Sequence, residues 1–302
     1  MSRFHFGLFV LAFVLAGCGG DVEVETDGRP VVYTTFYPTT YFAERIAGDL
    51  AEVVCPLPED ADPIFWQPGD DVIRKYQLAN LIVVNGAGFE KWVETASLPE
   101  SIVVDTSASI PEEFIEYQNA TTHSHGPEGE HAHEGIDGHT WLDPVNAQVQ
   151  AGAIHAGLAA LLPDHESELK DRFEALNENL EELNTELVRM TKTYGGHAIL
   201  ASHPAYNYLA RRYGWNIVNL DLDPEVMPDD ETLAEIAETV RETSAKFILW
   251  EGEPTAEIAE ALSTRCGVKS VLFSPCEAAG DEDYLSTMKA NLKRLEPVLR
   301  GN

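Results

Sequence analysis

Residues 164–194 read DHESELKDRFEALNENLEELNTELVRMTKTY. Apolar side chains recur at Leu169, Phe173, Leu176, Leu180, Leu183, Leu187, Met190 and Tyr194, in alternating steps of four and three. That spacing puts them on one face of a single helix, and Gly195-Gly196 stops it. At 1.5 Å per residue such a helix is ~45 Å long, more than a small lobe is wide. A coiled-coil seam would need a partner helix of similar length, and the sequence offers none. The stretch predicts a rigid spine that joins two lobes and limits bending between them.

Outward from the spine, four short, mostly β-branched apolar runs lie on each side. They are 30–36, 51–57, 80–85 and 101–106 before it, and 197–202, 215–220, 246–250 and 268–273 after it. Amphipathic stretches at 40–48, 71–78 and 231–244 alternate with them. Strands alternating with helices predict an α/β fold of two lobes, each a four-stranded, mainly parallel sheet flanked by helices. The expected organisation is a leader at 1–17, a polar tether at 18–29, an N-terminal lobe at 30–163, the linker helix at 164–194 and a C-terminal lobe at 195–302.

The leader reading rests on Arg3 followed by an apolar run over 6–16. As a helix this run spans ~16 Å, too short for a hydrocarbon core of ~30 Å, so it reads as a signal peptide. It ends in Leu15-Ala16-Gly17-Cys18, small residues before a cysteine, which resembles a bacterial lipobox with Cys18 as the lipidated residue. The remainder is expected outside the cytoplasm, touching a membrane only through that lipid. Acids outnumber bases 51 to 20, a net charge of −31. Such a surface repels nucleic acid and anionic lipid. Cys55, Cys266 and Cys276 remain; an oxidising compartment permits one disulfide. Cys266 and Cys276 flank a strand whose ends are ~20 Å apart, too far to bridge unless the chain folds back.

Parallel sheets present ligands at the carboxyl ends of their strands. Residues there include Tyr37, Cys55 and Asn85-Gly86 in the first half, and His203, Asp221, Glu251, Ser274, Cys276 and Glu277 in the second. Two facing lobes would bring them to one cleft. Of the ten histidines, five fall between Thr122 and His139. The segment 123–138 is too polar and glycine-rich to bury itself and reads as a mobile loop. Its two His-x-His pairs, His123 with His125 and His131 with His133, suit loose capture of ions such as Zn²⁺. His139 differs, because structure resumes there. Asp143 is placed either to orient a ligand or to cap the next helix.

Residues 30–302 resemble the substrate-binding lipoproteins of zinc and manganese ABC transporters. The resemblance is carried by Val32-Tyr33-Thr34-Thr35-Phe36-Tyr37-Pro38, Ala79-Asn80-Leu81-Ile82-Val83-Val84-Asn85-Gly86, His139-Thr140-Trp141-Leu142-Asp143-Pro144 and Ser202-His203-Pro204-Ala205-Tyr206. It implies a monomer that holds one metal ion between two lobes and hands it to a permease and its ATPase. It also implies ligands at His139 and His203, with Zn²⁺ expected over Mn²⁺ because His203 stands where manganese-type members carry Glu.

Two ligand positions depart from the family pattern. Asp62-Pro63-Ile64 has Ile64 where the family has His, and Ser274 stands in place of an acid. Neither is a good zinc ligand. Glu277 is the first replacement to consider, since a carboxylate preserves the hard-donor set. Cys276, Cys55, Asp60, Asp62 and the loop histidines are auxiliary candidates. The alternative is a divergent member whose metal site is degenerate and which binds a metal chelate or other small ligand against Phe65 and Trp66. An enzyme is not expected. His-Glu-x-x-His, a Gly-x-Ser-x-Gly elbow and a phosphate-cradling loop are all absent from the sequence.

Overall fold

The computed structural model describes residues 28–59, 61–117, 121–124, 130–133 and 135–301, with only backbone pairing described for 121–124 and 130–133. The leader, Cys18, Asp60, His125 and the side chains of His123, His131 and His133 lie outside the described residues.

The first lobe is a four-stranded parallel sheet of β1 (Val31–Thr34), β2 (Glu52–Val54), β3 (Leu81–Val84) and β4 (Val103–Asp105), in the order β2-β1-β3-β4. Helix α1 (Tyr37–Ala47) joins β1 to β2, and α2 (Asp70–Leu78) precedes β3. The central strands read Val-Val-Tyr-Thr and Leu-Ile-Val-Val and are buried throughout. Edge strands β2 and β4 carry Glu52 and Asp105 and are partly exposed, as edges that must resist pairing require.

The polar segment expected to be a mobile loop contains a hairpin, β5 (Thr121–Ser124) antiparallel to β6 (Glu130–His133), with His123 opposite His131 in register. The base of this hairpin belongs to the fold. Glu116 bridges Ile136, and Asp137 N–H donates to Ile115 O at 2.7 Å.

Helix α3 (Pro144–Leu161) then packs along α4 (Glu166–Thr191). The spine therefore has a partner, contrary to the sequence expectation. Alanine and glycine spread apolar surface around α3, so it shows no amphipathic stripe. Its Ala147 and Ala151 are small enough to bring α3 close to its neighbours. The α4 stripe of Leu169, Leu176, Leu180, Leu183, Leu187 and Met190 is buried, each residue contributing about 1.5–3 kcal/mol relative to exposure.

The second lobe is also parallel: β7 (Ala198–Ala201), β8 (Asn216–Asn219), β9 (Phe247–Trp250) and β10 (Lys269–Leu272), in the order β10-β9-β7-β8. It carries α5 (Asn207–Tyr213), α6 (Asp230–Thr243), α7 (Ala256–Ala261) and α8 (Tyr284–Arg300). Helix α4 contacts α1 and α3 on one side and α5 and α8 on the other. One continuous apolar cluster runs from Phe36 and Phe42 through α4 to Phe273 and Tyr284. No disulfide forms among the described cysteines: Cys55, Cys266 and Cys276 are free thiols.

Candidate metal centre

His139 lies in the turn between the hairpin base and α3, and its imidazole is fully buried. Gly138 lets this turn in: a Cβ there would stand 2.7 Å from the Phe89 side chain. Asn85 Nδ2 donates to Gly138 O at 2.9 Å. Asp137 then orients the ring. Its Oδ1 lies 2.7 Å from His139 Nδ1 and accepts the His139 backbone N–H at 3.0 Å and the Tyr117 hydroxyl at 3.1 Å. Its Oδ2 accepts from Asn207 Nδ2 at 2.9 Å. An acceptor on Nδ1 settles the proton there and leaves Nε2 to act as a ligand.

His139 Nε2 faces Glu277 Oε1 at 3.1 Å. Glu277 reaches this place because its segment is clamped to the first lobe. Trp141 Nε1–H donates to Pro275 O at 2.7 Å, and Tyr37 N–H donates to Glu277 O at 3.4 Å. A left-handed turn at Cys276 (φ +61°) redirects the chain between them.

His203, two residues beyond β7, is 5% exposed, and its ring centroid is 5.7 Å from that of His139. Its Nδ1 lies 3.8 Å from Glu251 Oε2, at the end of β9. The result is two imidazole–carboxylate couples, His139 with Glu277 and His203 with Glu251. Among the described residues no three such donors already surround one point. Each carboxylate instead faces an imidazole.

The charges are strongly coupled. Burial opposes a charge on His139, but Asp137 and then Glu277 outweigh it and raise its pKa to about 10. Glu251 is pushed up to about 8 by burial first, then by the charge of Glu277, with Asp62 and Asp223 adding and His139 opposing. A crevice holding several carboxylates over low-dielectric walls attracts a cation.

The family described as "Zinc-uptake complex component A periplasmic" matches residues 32–298. The chain belongs to this family. The high-affinity zinc uptake system protein ZnuA of Bacillus subtilis (strain 168) is 30% identical over 310 residues, covering 97% of both chains. The zinc-binding lipoprotein AdcA of Streptococcus pneumoniae (strain R6) is 30% identical over 296 residues. That match covers 94% of this chain but only 58% of AdcA. Among solved structures, the Zn(II)-bound ZnuA-like domain of S. pneumoniae AdcA superposes with a TM-score of 0.78 at 26% identity, covering 90% of this chain and 100% of that domain. The metal-dependent lipoprotein YcdH of B. subtilis gives the same four values.

Seen as a ZnuA-family site, the centre gathers some of the sequence candidates and not others. His139, His203 and Glu277 come together. Asp62 is near enough to act on Glu251, but its Oδ1 accepts the Ile64 N–H at 2.7 Å within its own loop. Cys276, an auxiliary candidate, is buried in the core with Sγ turned to Ser274 O at 3.9 Å. Burial, then Glu277, pushes its thiol up to about 12, so it is not poised as a thiolate donor. Cys55 follows β2 by one residue and lies near enough to Tyr76 to act on its hydroxyl. Ile64 is buried, Phe65 packs on the main core, and Trp66 meets Trp92 edge-on at 6.1 Å. These three residues fill the first lobe rather than forming an open wall for an organic ligand.

Asp143 caps α3 through Val145 N–H at 3.0 Å and pairs with Arg212, so orienting His139 falls to Asp137 instead. Asp137 was hidden in the sequence by the loop composition around it. Glu251 was visible only as a residue ending a strand.

Proposed function

We propose that the protein is an extracytoplasmic substrate-binding component that captures a divalent metal ion, zinc before manganese, and delivers it to an ABC permease driven by its ATPase. It acts as a monomer, without catalysis, held to a membrane by a lipid on Cys18. The ligands are His139, His203 and Glu277, and the His123–His133 hairpin feeds ions to them. The observation that carries this reading is the His139 imidazole, buried, oriented by Asp137 and facing His203 and Glu277 across the lobes. Membership of a zinc-uptake family supports the choice of cargo. Among the described residues no helix is long and apolar enough to cross a membrane.

Calorimetric titration with Zn²⁺ tests it. One tight site is expected, and it should survive replacement of residues 118–134 by a short glycine linker, which spares the Asp137 turn. Zinc sites of four protein donors carry about 10–16 kcal/mol, so His139→Ala or His203→Ala should weaken binding on the order of 100-fold. Tight binding that survives the double substitution and disappears with the hairpin would move the site out of the cleft.

A further inference from the structure

The ligands proposed above, His139, His203 and Glu277, number three, one short of the four donors common at zinc. The second sheet supplies another donor through its strand order. In β10-β9-β7-β8 the chain leaves β7 toward β8 on one side, while β9 and β10 lie on the other. The crevice of such a sheet opens between β7 and β9, beyond their carboxyl ends. His203 follows β7 by two residues and Glu251 follows β9 by one. Glu251 Oε2 stands 3.8 Å from His203 Nδ1, an ion-pair distance too long for a hydrogen bond. The side chain is only 15% exposed.

Resting on the metal-transport reading above, we infer that Glu251 is the fourth ligand, so that the ion is held by two imidazoles and two carboxylates: His139, His203, Glu251 and Glu277. The inference also has a consequence for selectivity. Carboxylate oxygen suits harder ions such as Mn²⁺, whereas imidazole suits zinc. Two carboxylates narrow the margin by which zinc is preferred over manganese, and Glu251 sets that margin.

The test compares the wild type with Glu251→Gln and Glu251→His, titrated with Zn²⁺ and Mn²⁺ alone, and with Co²⁺ as a visible-absorption reporter of coordination. Circular dichroism of the metal-free proteins checks that each variant folds. Glu251→Gln should weaken zinc on the order of 100-fold and alter the cobalt bands. Glu251→His should retain zinc within tenfold and lose manganese. Weaker zinc binding with unchanged cobalt bands would put Glu251 outside the coordination sphere and overturn the inference. Unchanged affinity in Glu251→Gln would overturn it as well, leaving the transport reading intact. A wild type that binds no zinc would sink both. A crystal structure of the wild-type zinc complex decides the matter without any variant. It should place a Glu251 oxygen about 2.0–2.2 Å from the ion, and a Glu251 carboxylate out of contact with the ion would overturn the assignment.

Discussion

Read from opposite ends, the two sheets have the same strand order: β2-β1-β3-β4 in one, β8-β7-β9-β10 in the other. Each therefore opens a crevice between its first and third strands. The crevices are used differently. In the first lobe, Glu90 folds back into the gap between β1 and β3. Its carboxylate accepts the Thr35 hydroxyl, Asn85 N–H at 2.7 Å and Gly86 N–H at 3.3 Å. Asn85 Oδ1 in turn accepts from Gln150 Nε2 at 2.9 Å, and its amide holds the His139 turn through Gly138 O. In the second lobe the gap between β7 and β9 holds a histidine and a carboxylate instead. His203 and Glu251 face each other there at 3.8 Å. One crevice has become a support, closed by hydrogen bonds. The other retains donors at ion-pair distance, which a cation can claim. Topology made two crevices available, and the residues that fold into each decided what it offers.

The largest expected effect tests the support. Glu90→Ala would strand a buried hydroxyl and two backbone N–H groups, each costing about 1–3 kcal/mol when unsatisfied, and should destabilise the fold by about 3 kcal/mol or more in denaturant melts. Glu251→Gln should cost less metal-free stability than this, because a neutral amide of the same shape replaces a carboxylate that burial and Glu277 disfavour. Equal losses in the two variants would erase the distinction between the crevices.

Next comes the positioning of His139. Asp137→Asn should weaken zinc by about 10–100-fold, as losses of a ligand's orienting partner do, and should also lower the melt, because its amide sets a donor against a donor of Asn207 or His139. Unchanged zinc affinity in the folded variant would make Asp137 structural only. The third effect is proton linkage. The carboxylates raise His139 to about 10 in the zinc-free chain, above its ordinary value of 6.5, so near neutrality the ring holds a proton that zinc must displace. Zinc affinity should rise with pH through the neutral range, by up to about tenfold or 1.36 kcal/mol per unit. Calorimetry in buffers of different ionisation enthalpy reads the released proton, and pH-independent affinity would contradict the site. The smallest effect sharpens the link between lobes. Trp141→Phe removes the donor to Pro275 O and should cost about 1 kcal/mol while loosening Glu277. Zinc affinity should fall by several-fold, and an unchanged value would show that Glu277 does not depend on this clamp.

Much of the architecture was legible beforehand because it is written in local periodicity. Eight apolar runs became the eight strands of the two sheets, since β-branched strings favour extended chain wherever they are buried. The four-three stripe of 169–190 became the buried face of α4 for the same reason. Helix α3 escaped attention because its apolar surface is not confined to one face. The hairpin over 121–133 escaped because its polar composition suggested a loop. His139 and His203 stood out through their surroundings, and Glu277 through its spacing from Ser274.

Taken alone, the sequence determined the strands, the spine, the acidic surface and the histidines available to a metal, because each depends on residues a few positions apart. Only the tertiary structure decided that Glu90 closes one crevice, that Asp137 orients His139, that Cys276 turns into the core, and that His139 comes to face Glu277 and His203 while His203 faces Glu251. Those outcomes depend on strand order and on packing between segments more than a hundred residues apart in some cases, and no local pattern of side chains encodes them.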